Sequence, residues 1–427
     1  MLKKKIAILL VLLSILYCIQ VSASQKNIDA VTAPKYMLID CANQSVMLQK
    51  NGNDSIAINN FSKIMTAVLV IEKKNMPKSV AFTEENNVFN GSFGNIAMTK
   101  PGQSYTVNQH LHNMLLLYSD ASAIALSEAH SGSEAAFVQA MNKKAKEIGM
   151  ENTVFTSPDG KKNAKGKTTM QDLFKLYAHA MDLPLFKEIT GTVQFELPDT
   201  NGKPALFSSR NHLLSRYTYA SYTYSPAVSG FVSFDDTKKG SMIVFAEQSG
   251  KEICGIVIGT PGDGTEVYTD AINLLEYGYN DFTTVVVAKK GTFLKQVPVT
   301  GAMATHAVLV AEKDISVLLP VKYDEEKLTT KMEVPVSLEA PLTKNAAYGT
   351  VTYYYDGNAL ASCPLVAEKD IEDSFFSFFY RLFSGVNTWF ILLILVAFIV
   401  FISRYQKKRR QKEARRARKK AIMEENE

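Results

Sequence analysis

Residues 60–67 read Asn-Phe-Ser-Lys-Ile-Met-Thr-Ala and open a segment with helical spacing. Apolar residues then recur at the spacing of one helical face, at Ile64, Ala67, Val68 and Ile71. The spacing predicts a helix over Phe61 to Lys73. It places a lysine, Lys63, three residues after Asn60, so the two side chains are expected to share one face.

Strands are predicted on both sides of this helix. Helical spacing returns at 111–129 and 135–148, while period-two or continuous apolar runs mark strands at 36–40, 45–48, 242–246 and 253–259. Strands at both ends with helices between them indicate an antiparallel sheet whose first and last segments meet, flanked by a helical subdomain. We therefore predict an α/β domain of the α+β kind over residues 28–282.

A change of character after Tyr279 marks a second domain. Short apolar runs broken by Gly, Pro and charged turns predict strands at 285–287, 307–310, 315–319, 334–336 and 350–355. The prediction is a small all-β sandwich over residues 283–368, followed by a linker over residues 369–385.

The two ends of the chain carry targeting signals. Residues 1–23 have three lysines, an apolar stretch and a small-residue ending at Ala23, which is typical of a cleaved signal peptide. Residues 386–403 are uncharged and long enough to predict one transmembrane helix, with Trp389 at an interface position. The basic tail over residues 404–427 points to the cytoplasm. The expected location is the cell membrane, single-pass, with the bulk of the chain extracytoplasmic.

Charge and residue clusters exclude several classes of function. The net charge of +5 comes from Lys3 to Lys5 and the basic tail, which leaves the body mildly acidic without a basic stripe, so nucleic acid is not an expected partner. Cys41, Cys254 and Cys363 lack paired zinc spacing. The pair His110-x-His112 should diverge on a helix and lie at the surface. We expect no metal and no cofactor.

Several ordered blocks carry a family resemblance. They are residues 36–40, 63–67, 132–138, 141–145, 152–160, 338–342, 349–351 and 364–367. On these blocks the chain resembles the D-alanyl-D-alanine carboxypeptidases (peptidase S11, low-molecular-mass penicillin-binding proteins). The resemblance implies a β-lactamase/transpeptidase-like fold, serine-type peptidase ancestry and a role in peptidoglycan metabolism. Family members carry Ser-x-x-Lys, Ser-x-Asn and Lys-Thr-Gly motifs around one cleft.

The first motif aligns with residues 60–63 and has lost its nucleophile. Lys63 is kept, but Asn60 stands at the serine position, and an amide cannot form an acyl-ester intermediate. Ser62 is the candidate for a surrogate nucleophile. Because adjacent helical residues face different directions, that role would require local unwinding of the helix start.

The second motif aligns with Tyr118-Ser119-Asp120, so the family's serine and asparagine are both replaced. A phenol with its ordinary pKa near 10 is a poor base at neutral pH, and the Tyr118 ring would intrude on the cleft. Two structural roles are open for Asp120. It could form a salt bridge with the orphaned Lys63, or it could act as a helix N-cap.

The third motif aligns with Val232-Ser233-Phe234, where only the middle hydroxyl, Ser233, survives. Loss of the cation at Val232 removes the group that would bind the terminal carboxylate of a substrate. Phe234 in place of glycine blocks close approach of a peptide backbone to the strand.

The resemblance and the altered motifs together predict a membrane-anchored, extracytoplasmic pseudoenzyme. Its expected role is binding or scaffolding at the cell wall, with peptidoglycan stem peptides or cell-wall proteins as partners. Two alternatives stay open. One is an active carboxypeptidase that uses a displaced serine such as Ser62, Ser119 or Ser122. The other is a regulatory partner of a cell-wall synthase or hydrolase, in which the cleft can be filled by Tyr118 and Phe234.

Overall fold

A computed structural model describes residues 28–83, 101–161, 165–199, 202–215, 220–235, 237–262, 264–375 and 388–424. The predicted signal peptide lies outside these residues. Contacts divide the chain into two compact units, described separately below. The first holds residues up to Val287 with 316–330 and 352–362, and the second holds 288–315, 331–351 and the residues from Cys363 onwards.

The strands up to residue 260 are β1 (Lys35–Asp40), β2 (Ser45–Lys50), β3 (Ile56–Ala57), β4 (Ser79–Ala81), β5 (Ser104–Thr106), β6 (Lys167–Thr168), β7 (Gln194–Pro198), β8 (Pro204–Ser208), β9 (Ala227–Phe234), β10 (Gly240–Gln248) and β11 (Lys251–Thr260). The main sheet has the order β2-β1-β11-β10-β9. Its pairs are antiparallel, and Leu38 of β1 lies opposite Gly255 of β11. The prediction that the first and last segments meet is confirmed.

The helices are α1 (Ser62–Glu72), α2 (Val107–Leu116), α3 (Asp120–Ser131), α4 (Glu134–Glu147), α5 (Met170–Met181), α6 (Pro184–Thr190), α7 (Glu266–Asp281) and α8 (Thr388–Glu424). Helix α1 is buried from Ser62 to Val70, which places it inside the helical subdomain. Helix α7 packs on the face of the main sheet that lies opposite the helical subdomain. A Cβ at Gly278 would lie 2.8 Å from side-chain carbons of Leu38 and Ile253, so glycine permits this close approach.

The predicted continuous helix over residues 111–129 is wrong, because the chain breaks between α2 and α3. Tyr118 adopts a left-handed backbone conformation, with φ of 61°, which no helix interior accommodates. Ser119 then caps α3 by accepting a hydrogen bond from the Ser122 amide at 3.2 Å. The break therefore sits in the second motif, and apolar spacing alone does not reveal it.

The remaining strands are β12 (Phe282–Ala288), β13 (Phe293–Thr300), β14 (His306–Ala311), β15 (Ile315–Pro320), β16 (Leu328–Glu333), β17 (Leu338–Glu339), β18 (Ala347–Tyr355) and β19 (Asn358–Ala367). One sheet has the order β16-β18-β19-β14-β13-β17, and β12 pairs with β15. The all-β character predicted for this part is confirmed. The strand predicted at 334–336 is wrong, because the chain there has no strand and Pro335 cannot donate to a ladder.

Helix α8 follows residues 376–387, which lie outside the described part. The transmembrane helix predicted at 386–403 therefore begins outside the described residues. Leucine, isoleucine, valine and phenylalanine side chains from Leu392 to Ile402 are exposed. Within the residues that the structure describes, no helix combines the length and apolar character needed to cross a membrane. The spanning helix stays a prediction.

Candidate active site

The first motif forms a turn that leads directly into α1. Asn59–Phe61 make a 3-10 turn, and Lys63 lies in the first turn of the helix. The Lys63 Nζ donates to Asn60 Oδ1 at 2.6 Å and to the Asp159 carbonyl at 3.1 Å. The predicted shared face of residues 60 and 63 is confirmed. The amide oxygen of Asn60 accepts a hydrogen bond from the lysine side chain.

The loop over residues 157–160 holds this turn in place. The Thr66 hydroxyl donates to the Pro158 carbonyl at 2.9 Å, and the Ser157 hydroxyl donates to Asp159 Oδ1 at 2.7 Å. Gly160 has φ of +82°, and a Cβ there would lie 1.7 Å from the carbonyl oxygen of Asn59. Glycine is thus required both by the backbone conformation and by the close approach to the motif turn.

Asp120 bridges two lysines at the start of α3. Its Oδ1 lies 2.7 Å from Lys63 Nζ, and its Oδ2 lies 2.6 Å from Lys161 Nζ. The salt bridge predicted between Asp120 and Lys63 is confirmed. The alternative of an Asp120 N-cap is wrong by one residue, because Ser119 holds that position. The Lys63 side chain is fully buried, and the Asp120 side chain exposes 8% of its surface.

The ionisation of Asp120 follows from this arrangement. Burial by itself would raise the pKa of its carboxyl, but the ammonium groups of Lys63 and Lys161 outweigh burial and hold that pKa below its ordinary value. The carboxylate therefore stays charged at neutral pH. The Lys63 Nζ thus lies between this carboxylate and the amide oxygen of Asn60.

Tyr118 fills the space beside the second motif. Its ring lies edge-on to the Phe231 ring at 5.1 Å, and the Arg210 guanidinium lies over it at 5.9 Å. Burial raises the pKa of the Tyr118 phenol well above its ordinary value, partly opposed by Arg210 and by a hydrogen bond from the Val232 backbone. The hydroxyl is therefore neutral and bound to β9, which is an edge strand of the main sheet.

The third motif lies on β9 opposite β10. Val232 pairs with Met242 and is fully buried, and Ser233 exposes 2% of its surface. Phe234 is half-buried, and a Cβ at Gly264 would lie 3.0 Å from its ring. A buried valine and a packed phenylalanine leave neither a cation nor backbone clearance at the two positions that the predicted motif alignment assigns to the family's lysine and glycine.

The three displaced serines, Ser62, Ser119 and Ser122, are all fully buried. The Ser62 hydroxyl is buried without a hydrogen-bond partner among the described residues. Ser119 caps α3, and the Ser122 hydroxyl contacts Asn113 Nδ2 at 3.1 Å and His110 Nδ1 at 3.2 Å. The surface position predicted for His110 is wrong, since the side chain is fully buried and its Nε2 contacts the Val80 carbonyl.

Two residues of this site are not predicted from the sequence. Lys161 reaches Asp120 because it follows the Pro-Asp-Gly turn at residues 158–160, and Arg210 reaches Tyr118 from a segment some 90 residues away in sequence. The turn was a usable signal for Lys161. No metal-type group of histidine, cysteine and acidic side chains occurs in the described part of the chain.

Family models match both parts of the chain. The D-alanyl-D-alanine carboxypeptidase model matches residues 20–259, and the model of the penicillin-binding protein 5 C-terminal domain matches residues 282–373. The chain is 25% identical over 366 residues to the D-alanyl-D-alanine carboxypeptidase DacF of Bacillus subtilis, which covers 84% of this chain and 90% of that protein. It is 25% identical over 378 residues to DacA of Escherichia coli, covering 85% and 89%.

Solved structures share the fold. Penicillin-binding protein 5 from Haemophilus influenzae aligns with a TM-score of 0.65 at 22% identity, over 80% of this chain and 98% of that one. A peptidoglycan synthesis regulatory factor (PBP3) from Streptococcus pneumoniae aligns with a TM-score of 0.63 at 20% identity, over 80% and 100%. The fold is thus β-lactamase/transpeptidase-like, followed by an all-β domain.

Proposed function

The chain belongs to the D-alanyl-D-alanine carboxypeptidase family, and we propose that it is a catalytically inactive member with a binding or scaffolding role at the cell wall. In this proposal the chain consists of a carboxypeptidase-like domain over 28–282 and a β-domain over 283–368. Neither domain contributes acyl-transfer chemistry.

One observation carries the proposal: the contacts of Lys63. Its ammonium is bound by Asn60 Oδ1, the Asp159 carbonyl and Asp120, and none of these groups can serve as a nucleophile toward a peptide. Activation of a serine requires a hydroxyl within hydrogen-bond reach of a base. Ser62 makes no hydrogen bond among the described residues. Ser122 contacts His110, but both side chains are fully buried and closed to a peptide, which argues against the displaced-serine alternative.

The filling of the cleft bears on how the protein binds its partner. Asn60, Lys63, Tyr118, Asp120 and Val232 are the positions that a stem peptide would reach, and all except the half-buried Asn60 expose less than a tenth of their surface. This favours recognition through surfaces of this protein outside the cleft. The partner recognised there is either the wall or a cell-wall synthase or hydrolase.

Sedimentation with purified sacculi tests the proposal. The full chain in detergent is expected to co-sediment with sacculi while releasing no D-alanine from their stem peptides. A catalytic member of the family, treated in parallel, supplies the positive control for release. Release of D-alanine at a rate comparable to that control would contradict the proposed inactivity, and failure to co-sediment would contradict the wall-binding role.

We further propose that residues 386–403 anchor the protein as a single span with the bulk of the chain outside. Support comes from the exposed apolar side chains between Leu392 and Ile402 and from the basic residues that follow Ile402. The protein is expected to stay with membranes in alkaline carbonate and to be released by detergent. A version ending at residue 385 is expected in the soluble fraction, and carbonate extraction of the full chain would contradict the anchor.

A further inference from the structure

A polar groove lies apart from the motif positions, on the surface of the first unit. Its volume is about 520 Å³, and it is lined by Gly52, Asn53, Ser55, Glu151, Asn152, Val154, Lys167, Thr169 and Gln171. The volume falls within the range of small-molecule sites, of about 300 to 1,000 Å³. None of the motif residues lines it, so the groove is independent of the filled cleft.

Short backbone pairings form the wall of the groove. Lys167 in β6 pairs with Ala57 in β3 on one side and with Val154 on the other. The Val154 and Lys167 side chains are both exposed, whereas Thr168 between Lys167 and Thr169 is fully buried. Val154, which is 42% exposed, contributes one apolar side chain to an otherwise polar lining.

A buried network beneath the groove fixes this wall. Asp172 Oδ2 accepts hydrogen bonds from the backbone N–H of Asn152 at 2.8 Å and from the Thr153 hydroxyl at 2.9 Å. The Thr153 and Thr168 hydroxyls lie 2.8 Å apart. Because these groups are buried and paired, the segments that line the groove keep one geometry, which lowers the entropy lost on binding a ligand.

The lining offers donors and acceptors that the fold does not use. The side chains of Asn53, Ser55, Glu151, Lys167 and Gln171 line the groove, and no intramolecular hydrogen bond or ion pair engages them among the described residues. They combine amides, a hydroxyl, a carboxylate and an ammonium. The charges of Glu151 and Lys167 balance, so the groove has no net charge with which to select an anion or a cation.

We propose that this groove binds the glycan of the wall, as an uncharged oligomer of N-acetylated amino sugars. Hydroxyl and acetamido groups match mixed amide, carboxylate and ammonium partners, and the C–H face of a sugar ring can pack on the exposed Val154 side chain. A stem peptide fits less well, because its carboxylates meet no excess of positive charge. The inference rests on the proposed wall-binding role and assigns that role to a surface outside the cleft.

Two probes separate the inference from the function on which it rests. The first is triacetylchitotriose, titrated into the full chain in detergent and followed by NMR or calorimetry. The second is sacculi stripped of stem peptides by an amidase, in which the lactyl carboxylates that the amidase exposes are converted to methylamides so that the glycan stays uncharged; these are used for co-sedimentation. The wild-type chain is expected to bind both probes, because the groove addresses the sugar and not the peptide.

The double variant Glu151→Ala with Gln171→Ala tests the residues. It is expected to weaken binding of both probes at least tenfold, because two polar partners of the ligand are lost. The matched control, Gln139→Ala with Glu188→Ala, removes the same two residue types from exposed positions outside the groove and should bind as the wild type does. Equal midpoints of urea unfolding establish that both variants are folded.

Each outcome decides the assignment. Undiminished binding of stripped sacculi by the groove variant would overturn the groove while leaving the wall-binding role intact. Binding by the wild type only to sacculi that keep their stem peptides would overturn the glycan as ligand. Absence of binding to any sacculi would overturn the groove and the proposed function together.

Discussion

The Asp120→Ala variant is expected to lose about 3 to 5 kcal/mol of unfolding free energy, the usual cost of breaking a buried ion pair. Lys63 is fully buried, and without Asp120 its ammonium keeps only two neutral oxygen partners, Asn60 Oδ1 and the Asp159 carbonyl. The lysine must then stay charged without a counter-ion or give up its proton. Urea unfolding at pH 7 measures the difference.

Two further variants bracket this value. Lys63→Met should cost less than Asp120→Ala, because Asp120 keeps the partly exposed Lys161 at 2.6 Å as a second counter-ion. The matched control is Asp54→Ala, which breaks the surface pair with Lys35 and should cost about 0 to 1 kcal/mol. Equal losses for Asp54→Ala and Asp120→Ala would contradict the account of the buried pair.

The pH dependence of the Asp120 effect has a defined sign. Because the pKa of the folded carboxyl is held below its ordinary value of 3.8, the carboxylate stabilises the fold above that pH and this contribution disappears as the pH falls through the folded pKa. The stability difference between wild type and Asp120→Ala should therefore shrink below about pH 4. A difference that grew as the pH fell below about 4 would contradict the assigned ion pair.

Restoring the motif residues is expected to restore reaction with penicillin. The variant combines Asn60→Ser, Tyr118→Ser, Asp120→Asn, Val232→Lys and Phe234→Gly, and it uses Lys63 where it already stands. Removal of a serine nucleophile costs about a millionfold in turnover in a serine protease, so the gain in labelling should be large. Labelling with a fluorescent penicillin measures it.

The single variant Asn60→Ser is the matched control for this gain. It supplies the hydroxyl, but Asp120 still holds Lys63 as a cation, Tyr118 still fills the cleft and Val232 still provides no charge. We expect no detectable labelling. Rapid labelling of Asn60→Ser would show that the nucleophile alone was missing. If the variant with all five substitutions folded but did not react, that result would contradict the motif alignment.

Most of the fold could be predicted because its signals are local. The apolar spacing around Ile64 predicts α1, and the runs near residues 243 and 256 predict β10 and β11. The break at Tyr118 could not be predicted, since Leu111 to Ala129 keeps helical spacing while one residue adopts positive φ. Pro335 disfavours a strand, whereas the apolar residues on either side of it favour one, so the apolar pattern predicts a strand that the structure does not have.

The site could be predicted only in part. The Lys63–Asp120 pair follows from the motif alignment, because an orphaned ammonium next to a new carboxylate has one favourable arrangement. Arg210 depends on how distant segments fold together, and no spacing in the sequence links it to the motifs, whereas the Pro-Asp-Gly turn before Lys161 is a local signal for that residue. Helical spacing predicts a surface position for His110, because it does not reveal which face of α2 strand β4 covers.

Intact-mass spectrometry of the wild-type full chain after incubation with a fluorescent penicillin tests the central claim most directly. The contacts of Lys63, Tyr118 and Val232 predict no mass shift in a cooperatively folded protein, while a catalytic relative in the same buffer gains one adduct. A stable adduct on the wild-type chain, mapped to Ser62, Ser119 or Ser122, would contradict the claim that this family member is inactive.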